Sequence, residues 1–277
     1  MKCFVCGAEM TPYFKTTPEI NYLESVNSFE YVRCENCGLV VSKTIYEMSH
    51  EDWEKINDVT FKNYFNNDKM LENFDPRWSE RIENQAELFS NLVKCGVLKK
   101  DLRTIDYGAG EGSLANKINE KIGKVWLKKF DAYMKPTDEN YLSADEVKPS
   151  SFDFLLTTSV FEHLIGTHGD VDNIINLIKP DGIMALHTLI CEEVPKNPDW
   201  FYIASIVVHC TIWTNKAMEI IYKKFGFKGC AYHLESRIWL MFRNVDDFQK
   251  LKNVAAKLKG TWTFSNNFVD YWKVKLY

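Results

Sequence analysis

The chain has 277 residues, 45% of them hydrophobic, enough to bury the core of one large domain or of a domain with a small appendage. Its 34 basic and 38 acidic residues leave a net charge of -4, so no overall charge steers it onto nucleic acid or an anionic membrane. No stretch approaches the roughly 18 apolar residues of a membrane span, and the start, MKCFVCGAEMTPYFK, lacks the unbroken apolar run of a signal peptide, so a cytoplasmic address is expected.

Eight cysteines in a reducing compartment direct attention to spacing rather than to disulfides. Cys3-Phe-Val-Cys6 and Cys34-Glu-Asn-Cys37 form two pairs, each followed by a glycine, Gly7 and Gly38. This is a zinc-ribbon pattern: each Cys-x-x-Cys turn supplies two thiolates, and two turns close a tetrahedral site. A closed site of four thiolates leaves no open position, so the metal is read as structural. Four unrelated buried or redox cysteines are the alternative. Cys95, Cys191, Cys210 and Cys230 stand alone and read as core residues.

Tyr31-Val-Arg and Leu39-Val-Val supply the β-branched and aromatic residues of short ribbon strands, which makes residues 1–45 a compact unit held by metal. Residues 46–100 read as a helical connector and a potential lid. Trp53, Phe61, Tyr64, Phe65 and Phe74 in it either line a cleft or pack on the next domain. From Asp75-Pro76 the spacing of Ile82, Leu88, Phe89, Leu92 and Val93 predicts a helix that ends near Gly96.

Strand and helix then alternate. Strands are predicted over 102–106, 125–131, 152–158 and 183–188, helices over 111–122 and 171–178, a turn over 179–182 and a short extended piece over 141–143. Such a βαβ series requires a parallel sheet with helices on both faces, so the fold class is α/β, doubly wound and Rossmann-like. A late amphipathic helix over 214–225 precedes two extended stretches, 227–234 and 237–243, close enough to pair as an antiparallel hairpin. Residues 246–277 add a helix and an aromatic tail of unread role; 101–277 is taken as one domain.

The chemistry concentrates at Asp106-Tyr107-Gly108-Ala109-Gly110-Glu111-Gly112, which follows the first of these strands. A dinucleotide fold wants a third glycine where this chain has Ser113. S-adenosylmethionine has no pyrophosphate for a helix N-terminus to hold. It carries an ammonium, a carboxylate and a sulfonium, and a carboxylate at a strand end suits the ammonium, while bare backbone at Gly108 and Gly110 admits the amino-acid moiety.

These residues resemble the first motif of class I S-adenosylmethionine-dependent methyltransferases, and the likeness runs over roughly residues 75–243. It implies that Asp131 with Ala132, in "KKFDAYMKP", meets the ribose hydroxyls, a position that would serve a nicotinamide cofactor equally. It implies that Ser143 and Ala144, in "LSADE", sit beside the adenine. "SFDFLLTTSVFEHL" resembles the fourth strand and its loop, which brings Ser159 to the cofactor. Arg81 either pairs with the cofactor carboxylate or belongs to a solvated helix face.

A ribbon ahead of such a domain, a "VFEHL" element and a later His before an aromatic and Thr resemble bacterial methyltransferases of sugars and surface polysaccharides. A small sugar-like acceptor is therefore expected. The C-methylating relatives carry Tyr-His-Glu-His before the late helix, whereas this chain has Ile206-Val-Val-His209, so O-methylation is the preferred reaction and nucleotide-sugar C-methylation the alternative.

Methyl transfer to a hydroxyl asks for one general base near neutrality, which favours histidine. His209 in "VVHCTIWT" is the candidate. Glu162 and His163 follow the fourth strand and either act near the methyl group or form a local capping pair. His187 ends the fifth strand; His50, His168 and His233 read as surface or turn residues; Trp200, Phe201 and Tyr202 either stack on a sugar or pack. An RNA base methyltransferase would need a basic ribbon, but residues 1–45 set Lys2, Lys15, Arg33 and Lys43 against Glu9, Glu19, Glu24, Glu30 and Glu35. A non-catalytic cofactor-binding scaffold is the remaining alternative, and the oligomeric state is unread.

Overall fold

The computed structural model describes residues 1–18, 23, 26–60, 78–136, 138–166, 170–204 and 208–271. Phe61, Tyr64, Phe65, Phe74, Asp75-Pro76, His168, Ile206 and Val207, together with the side chain of Phe201, lie outside the described residues. The chain divides into two compact units: Met1–Pro76, Phe161–Val171 and Thr188–Ile221 form one, and Arg77–Val160, Asp172–His187 and Tyr222–Tyr277 the other. No described helix is long and apolar enough to cross a membrane.

The first unit is built on a five-stranded sheet. Its strands are β1 (Met10–Thr16), β2 (Phe29–Cys34), β3 (Val40–Ser42), β8 (Ile190–Cys191) and β9 (Thr211–Thr214), in the order β1-β2-β3-β9-β8. The pairs β1/β2, β2/β3 and β3/β9 are antiparallel, and β8/β9 is parallel. The sequence led us to expect the ribbon strands to stand on their own; instead a segment far along the chain completes their sheet. Every residue of β9 is buried, and the Trp213 indole N–H donates to the Phe161 carbonyl at 2.9 Å. Two short helices, α1 (Lys43–Tyr46) and α2 (His50–Thr60), follow β3.

The second unit carries helices α3 (Trp78–Lys94) and α4 (Ser113–Ile122) and strands β4 (Thr104–Tyr107), β5 (Lys128–Phe130), β6 (Phe152–Thr158) and β7 (Ile178–His187). These four strands are parallel, in the order β7-β6-β4-β5. The hairpin of β10 (Gly229–His233) and β11 (Ile238–Phe242) joins antiparallel at β7, and β12 (Trp262–Ser265) closes the far edge on β10. The fold is therefore α/β and Rossmann-like with a C-terminal antiparallel hairpin, as the sequence implied. A parallel bridge from Lys129 to Tyr141 is what stands for the short extended piece predicted beyond β5.

The core explains why these elements hold. Leu114, Ala115 and Ile118 form one buried stripe of α4, and Ile82, Ala86, Phe89 and Val93 one of α3, at the spacing of a helix face. Phe154 on β6 packs against Phe89 and Trp126, with ring centroids 5.7 and 5.3 Å away. Each such wholly buried side chain contributes about 1.5–3 kcal/mol.

Several expectations need correction. The turn predicted over 179–182 is a bulge inside β7: Phe152 faces Ile178 and Phe154 faces Ile183, so Pro180 sits where β7 has no partner residue on β6 and its missing amide costs no ladder bond there. A side chain at Gly182 would meet the Asp153 and Phe152 carbonyls at 3.0 and 3.2 Å. Cys95 is exposed, not core, just past the end of α3, while Cys191, Cys210 and Cys230 are buried. His233 is buried in β10 instead of lying at the surface, and Arg81 is buried on α3, which excludes the solvated-face reading. The strand β12 was not anticipated.

Candidate functional site

The glycine turn lies at the carboxyl ends of β4 and β5, the edge where open parallel sheets bind ligands. Gly108 and Ala109 donate their amides to the Phe130 carbonyl at 2.8 and 3.1 Å, and Gly110 donates to the Asp131 carboxylate at 2.8 Å. The loop is thus sewn to the end of β5. Gly108 has φ +75°, and a Cβ there would stand 2.4 Å from Val160. Gly110, at φ +54°, meets nothing within 4 Å, so its bare Cα faces open space. Next to this edge the exposed Ser159 holds φ +55°, a left-handed conformation that costs a non-glycine residue about 1–2 kcal/mol and marks functional loops.

Asp106, one residue before the end of β4, is only 3% exposed. Burial, reinforced by the charge of Asp131, pushes its carboxyl up to about 7. Tyr107 beside it is half-buried against Phe130, and burial raises its hydroxyl. The second Asp131 oxygen accepts from the Tyr133 and Met134 amides at 2.9 and 3.0 Å, which fixes the carboxylate at the strand end; Ala132 is exposed. Ser143 donates from its amide and hydroxyl to Glu146 at 2.9 and 3.0 Å, leaving Ala144 exposed on the same turn.

Lys129, one residue before Phe130, escaped the sequence reading. Its side chain is wholly buried, donates to Asn116 of α4 at 3.0 Å, pairs with Asp138 and lies 4.5 Å over the Tyr141 ring. Tyr141 in turn donates to the Gly110 carbonyl at 2.6 Å. One ammonium thereby ties α4, the loop after β5 and the underside of the glycine turn. In "LKKFDAYMKP" it looked like one charge among several, and the only signal was its alternation with the outward Lys128.

In the other unit, Glu162, His163 and His209 come together: one ligand atom of each lies within 4.8 Å of those of the other two. The His163 and His209 rings are 5.0 Å apart. Each histidine turns Nδ1 toward a backbone carbonyl, His163 to Val208 at 3.0 Å and His209 to Tyr202 at 2.6 Å. A carbonyl only accepts, so Nδ1 carries the proton and Nε2 keeps the lone pair in the neutral ring. Glu162 accepts a hydrogen bond from Thr188 at 2.7 Å. Burial first, and then the His163 charge, pull His209 down to about 3, against the hydrogen bond to Tyr202. The two imidazoles therefore do not both take up a proton near neutrality, and His209 is far from the near-neutral base that the sequence reading asked for. The Tyr202 ring packs 4.2 Å from the His209 ring and is buried. His187 instead belongs with β11, its Nδ1 donating to the Arg237 carbonyl at 2.9 Å.

The four ribbon cysteines also converge. Their sulfurs lie within 4.8 Å of one another, with Cys3 to Cys37 at 3.7 Å and Cys6 to Cys34 at 3.4 Å. Zinc–sulfur bonds of about 2.3 Å in a tetrahedron set sulfur–sulfur edges of about 3.8 Å, so the donor set fits a zinc ion. The two knuckles repeat one another. Gly7 donates to Cys3 and Gly38 to Cys34, at 2.8 and 3.0 Å, and both glycines take left-handed φ, +73° and +76°.

Comparison with known proteins bears on the first of these sites. The sequence matches the family described as "Methyltransferase domain" over residues 78–231, more than half of the chain. The chain belongs to this family. It is an S-adenosylmethionine-dependent methyltransferase. No curated protein matches it in sequence. Among solved structures, a SAM-dependent methyltransferase from Thermotoga maritima is 14% identical over 67% of this chain and 99% of that one, with a TM-score of 0.40. The plantazolicin methyltransferase in complex with a triazolic desmethyl analogue and SAH is 12% identical over 71% and 100%, with a TM-score of 0.44. Phosphoethanolamine N-methyltransferase 2 from Haemonchus contortus is 19% identical over 63% and 43%, with a TM-score of 0.40.

The region that matches the methyltransferase family contains every candidate cofactor residue, including Arg81, and the whole Glu162, His163 and His209 cluster. The four cysteines precede it. Thr188, which orients Glu162 in this methyltransferase, had no sequence signal beyond its position after a strand, and Tyr202 stood out as an aromatic but not for the backbone carbonyl that holds His209.

Proposed function

We propose that the enzyme transfers the methyl group of S-adenosylmethionine to a hydroxyl of a small sugar-like acceptor, with zinc held as a structural ion by Cys3, Cys6, Cys34 and Cys37. The donor carries the activated carbon, so the protein has to align the acceptor oxygen in line with it and relieve that oxygen of its proton. Asp106 faces the donor's ammonium in this reading, and Gly108, Ala109 and Gly110 admit its amino-acid part. Asp131 and Ala132 take the ribose, Ser143 and Ala144 the adenine, and Tyr107, Ser159 and Arg81 complete the cofactor site.

The observation that carries the acceptor side is the gathering of Glu162, His163 and His209 around two imidazoles whose outer nitrogens are pinned to carbonyls. Such a cluster suits a neutral hydroxyl, which must lose a proton, better than an amine that is already a nucleophile. With His209 held low, the half-buried His163 is the member that accepts the proton, and Glu162 stabilises the imidazolium that forms.

The experiment is turnover with labelled S-adenosylmethionine and a panel of free and nucleotide-linked sugars. The label is expected on a hydroxyl oxygen, with His163→Gln lowering kcat at least a hundredfold while S-adenosylhomocysteine affinity stays within threefold. Label on a carbon or nitrogen, or a His163→Gln enzyme of near-normal kcat, would overturn this reading.

A further inference from the structure

Glu162, His163 and His209 have the composition of a metal centre as well as of a proton relay. Two neutral imidazoles and one carboxylate are a common ligand set for zinc, cobalt, nickel and ferrous ions when the protein leaves further positions open. The outer contacts are those that metal ligands use. Both histidines donate Nδ1–H to a backbone carbonyl, which sets the tautomer and aims the lone pair of Nε2 outward from that bond. Thr188 donates to one Glu162 oxygen and leaves the other to bind. The three side chains come from two stretches, the 3-10 turn Phe161–His163 and the segment just before β9, which the buried Trp213 and Thr211 lock together: Trp213 donates to the Phe161 carbonyl at 2.9 Å and Thr211 to Leu164 at 2.6 Å. One nitrogen of each imidazole and one Glu162 oxygen stand within 4.8 Å of one another and the two rings lie 5.0 Å apart, so rotation of side chains already gathered in one place brings two Nε2 atoms and a carboxylate oxygen to the edges of about 3–3.5 Å that bonds of about 2.1 Å require.

We infer that Glu162, His163 and His209 form a second metal site, distinct from the four cysteines, which takes a divalent transition-metal cation through one carboxylate oxygen and two Nε2 atoms. Three protein ligands leave open positions, and the class of ligand that fills them is a pair of neighbouring oxygens, as in a vicinal diol or a hydroxy-carbonyl. A metal on Nε2 of His163 takes the lone pair that the acceptor reading gives to the proton, so in the metal-loaded enzyme the metal replaces His163 in that task by lowering the proton affinity of a bound hydroxyl, whose proton then leaves to solvent. This role rests on the hydroxyl-acceptor reading above, whereas the binding of the metal does not.

The test is equilibrium dialysis of the full chain, first loaded with one equivalent of zinc, which the four thiolates take up ahead of nitrogen and oxygen ligands, against cobalt(II), followed by metal analysis and the visible spectrum, with neither donor nor acceptor present. One cobalt per chain beyond the zinc is expected, with the weak bands of nitrogen and oxygen ligands. Glu162→Gln and His163→Asn are each expected to weaken its binding at least tenfold at unchanged zinc content. Thr188→Val, which keeps all three ligands, is expected to weaken it about tenfold. No cobalt taken up at millimolar concentration, thiolate charge-transfer bands on the cobalt that binds, or unchanged binding in both ligand variants would overturn the proposal. Because wild-type stoichiometry is read directly, a variant that fails to fold does not decide the matter. If the chain lacks zinc but binds cobalt with nitrogen and oxygen bands, the ribbon assignment fails and this one stands.

Discussion

Donor binding is expected to be strongly pH-dependent, and Asp106 sets the range. Its carboxyl is pushed from 3.8 to about 7, chiefly by burial. That corresponds to about 4 kcal/mol spent to keep the carboxylate charged there. A ligand ammonium placed against it favours the ionised form. At pH 6 about one molecule in ten is ionised, so affinity for S-adenosylhomocysteine falls about tenfold from pH 8 to pH 6 and about tenfold again by pH 5. Calorimetry in buffers of different ionisation enthalpy is expected to count close to one proton released per ligand at pH 6 and almost none at pH 8. Asp106→Asn removes both the slope and the released proton. The same group shapes folding. Because its folded-state value is raised, the unfolded chain binds fewer protons between about 4 and 7, so stability falls as pH rises through that window and levels off above it. Equal affinity at pH 6 and pH 8, or the same slope in Asp106→Asn, would refute the reasoning.

Other consequences follow from close contacts and buried charge. Gly108→Ala adds a Cβ at φ +75° and 2.4 Å from Val160, so an affinity loss above tenfold is expected, with partial recovery in a Gly108→Ala, Val160→Ala double variant measured by the same calorimetry. Lys129→Met takes away the ammonium that Asn116 and Asp138 share and with it the tie between α4 and the loop after β5; a lower midpoint of urea denaturation is expected, with a smaller shift than for a sealed ion pair because the Asp138 left behind is exposed to water. Chelation of the ribbon metal is expected to cut amide-exchange protection at least tenfold in β1 and β2 while β6 is unchanged, as followed by hydrogen-exchange mass spectrometry.

What the sequence made legible is local. Alternating strands and helices, the glycine turn with its acid, and the paired cysteines each lie within a short window, where periodicity and turn chemistry act. The hairpin of β10 and β11 was readable for the same reason. What it concealed depends on distant partners. The two and four residues of β8 and β9 are too short to show a period, and their role comes from β3, far back in the chain. The bulge in β7 hides Pro180 inside a strand because the ladder skips it. Lys129 and Arg81 look like ordinary surface charges until packing buries them, and Cys95 looks like core until the end of α3 exposes it. Glu162, His163 and His209 were each singled out, but their convergence and the low proton affinity of His209 follow from burial that no spacing reports.

The pairing of β3 with β9 bears on how far the N-terminal segment is detachable. Val40 faces Ile212 and Val41 faces Thr211, while the Thr214 hydroxyl donates to the Cys37 carbonyl at 2.6 Å. A protein shortened to begin at residue 46 would bare one whole edge of β9, four buried residues with a tryptophan among them, two positions after His209. Such an edge recruits another strand, so the shortened protein would aggregate through the very segment that carries its histidine. The ribbon is therefore a wall of the building rather than a porch, and trimming it for crystals or assays takes away the strand on which β9 leans.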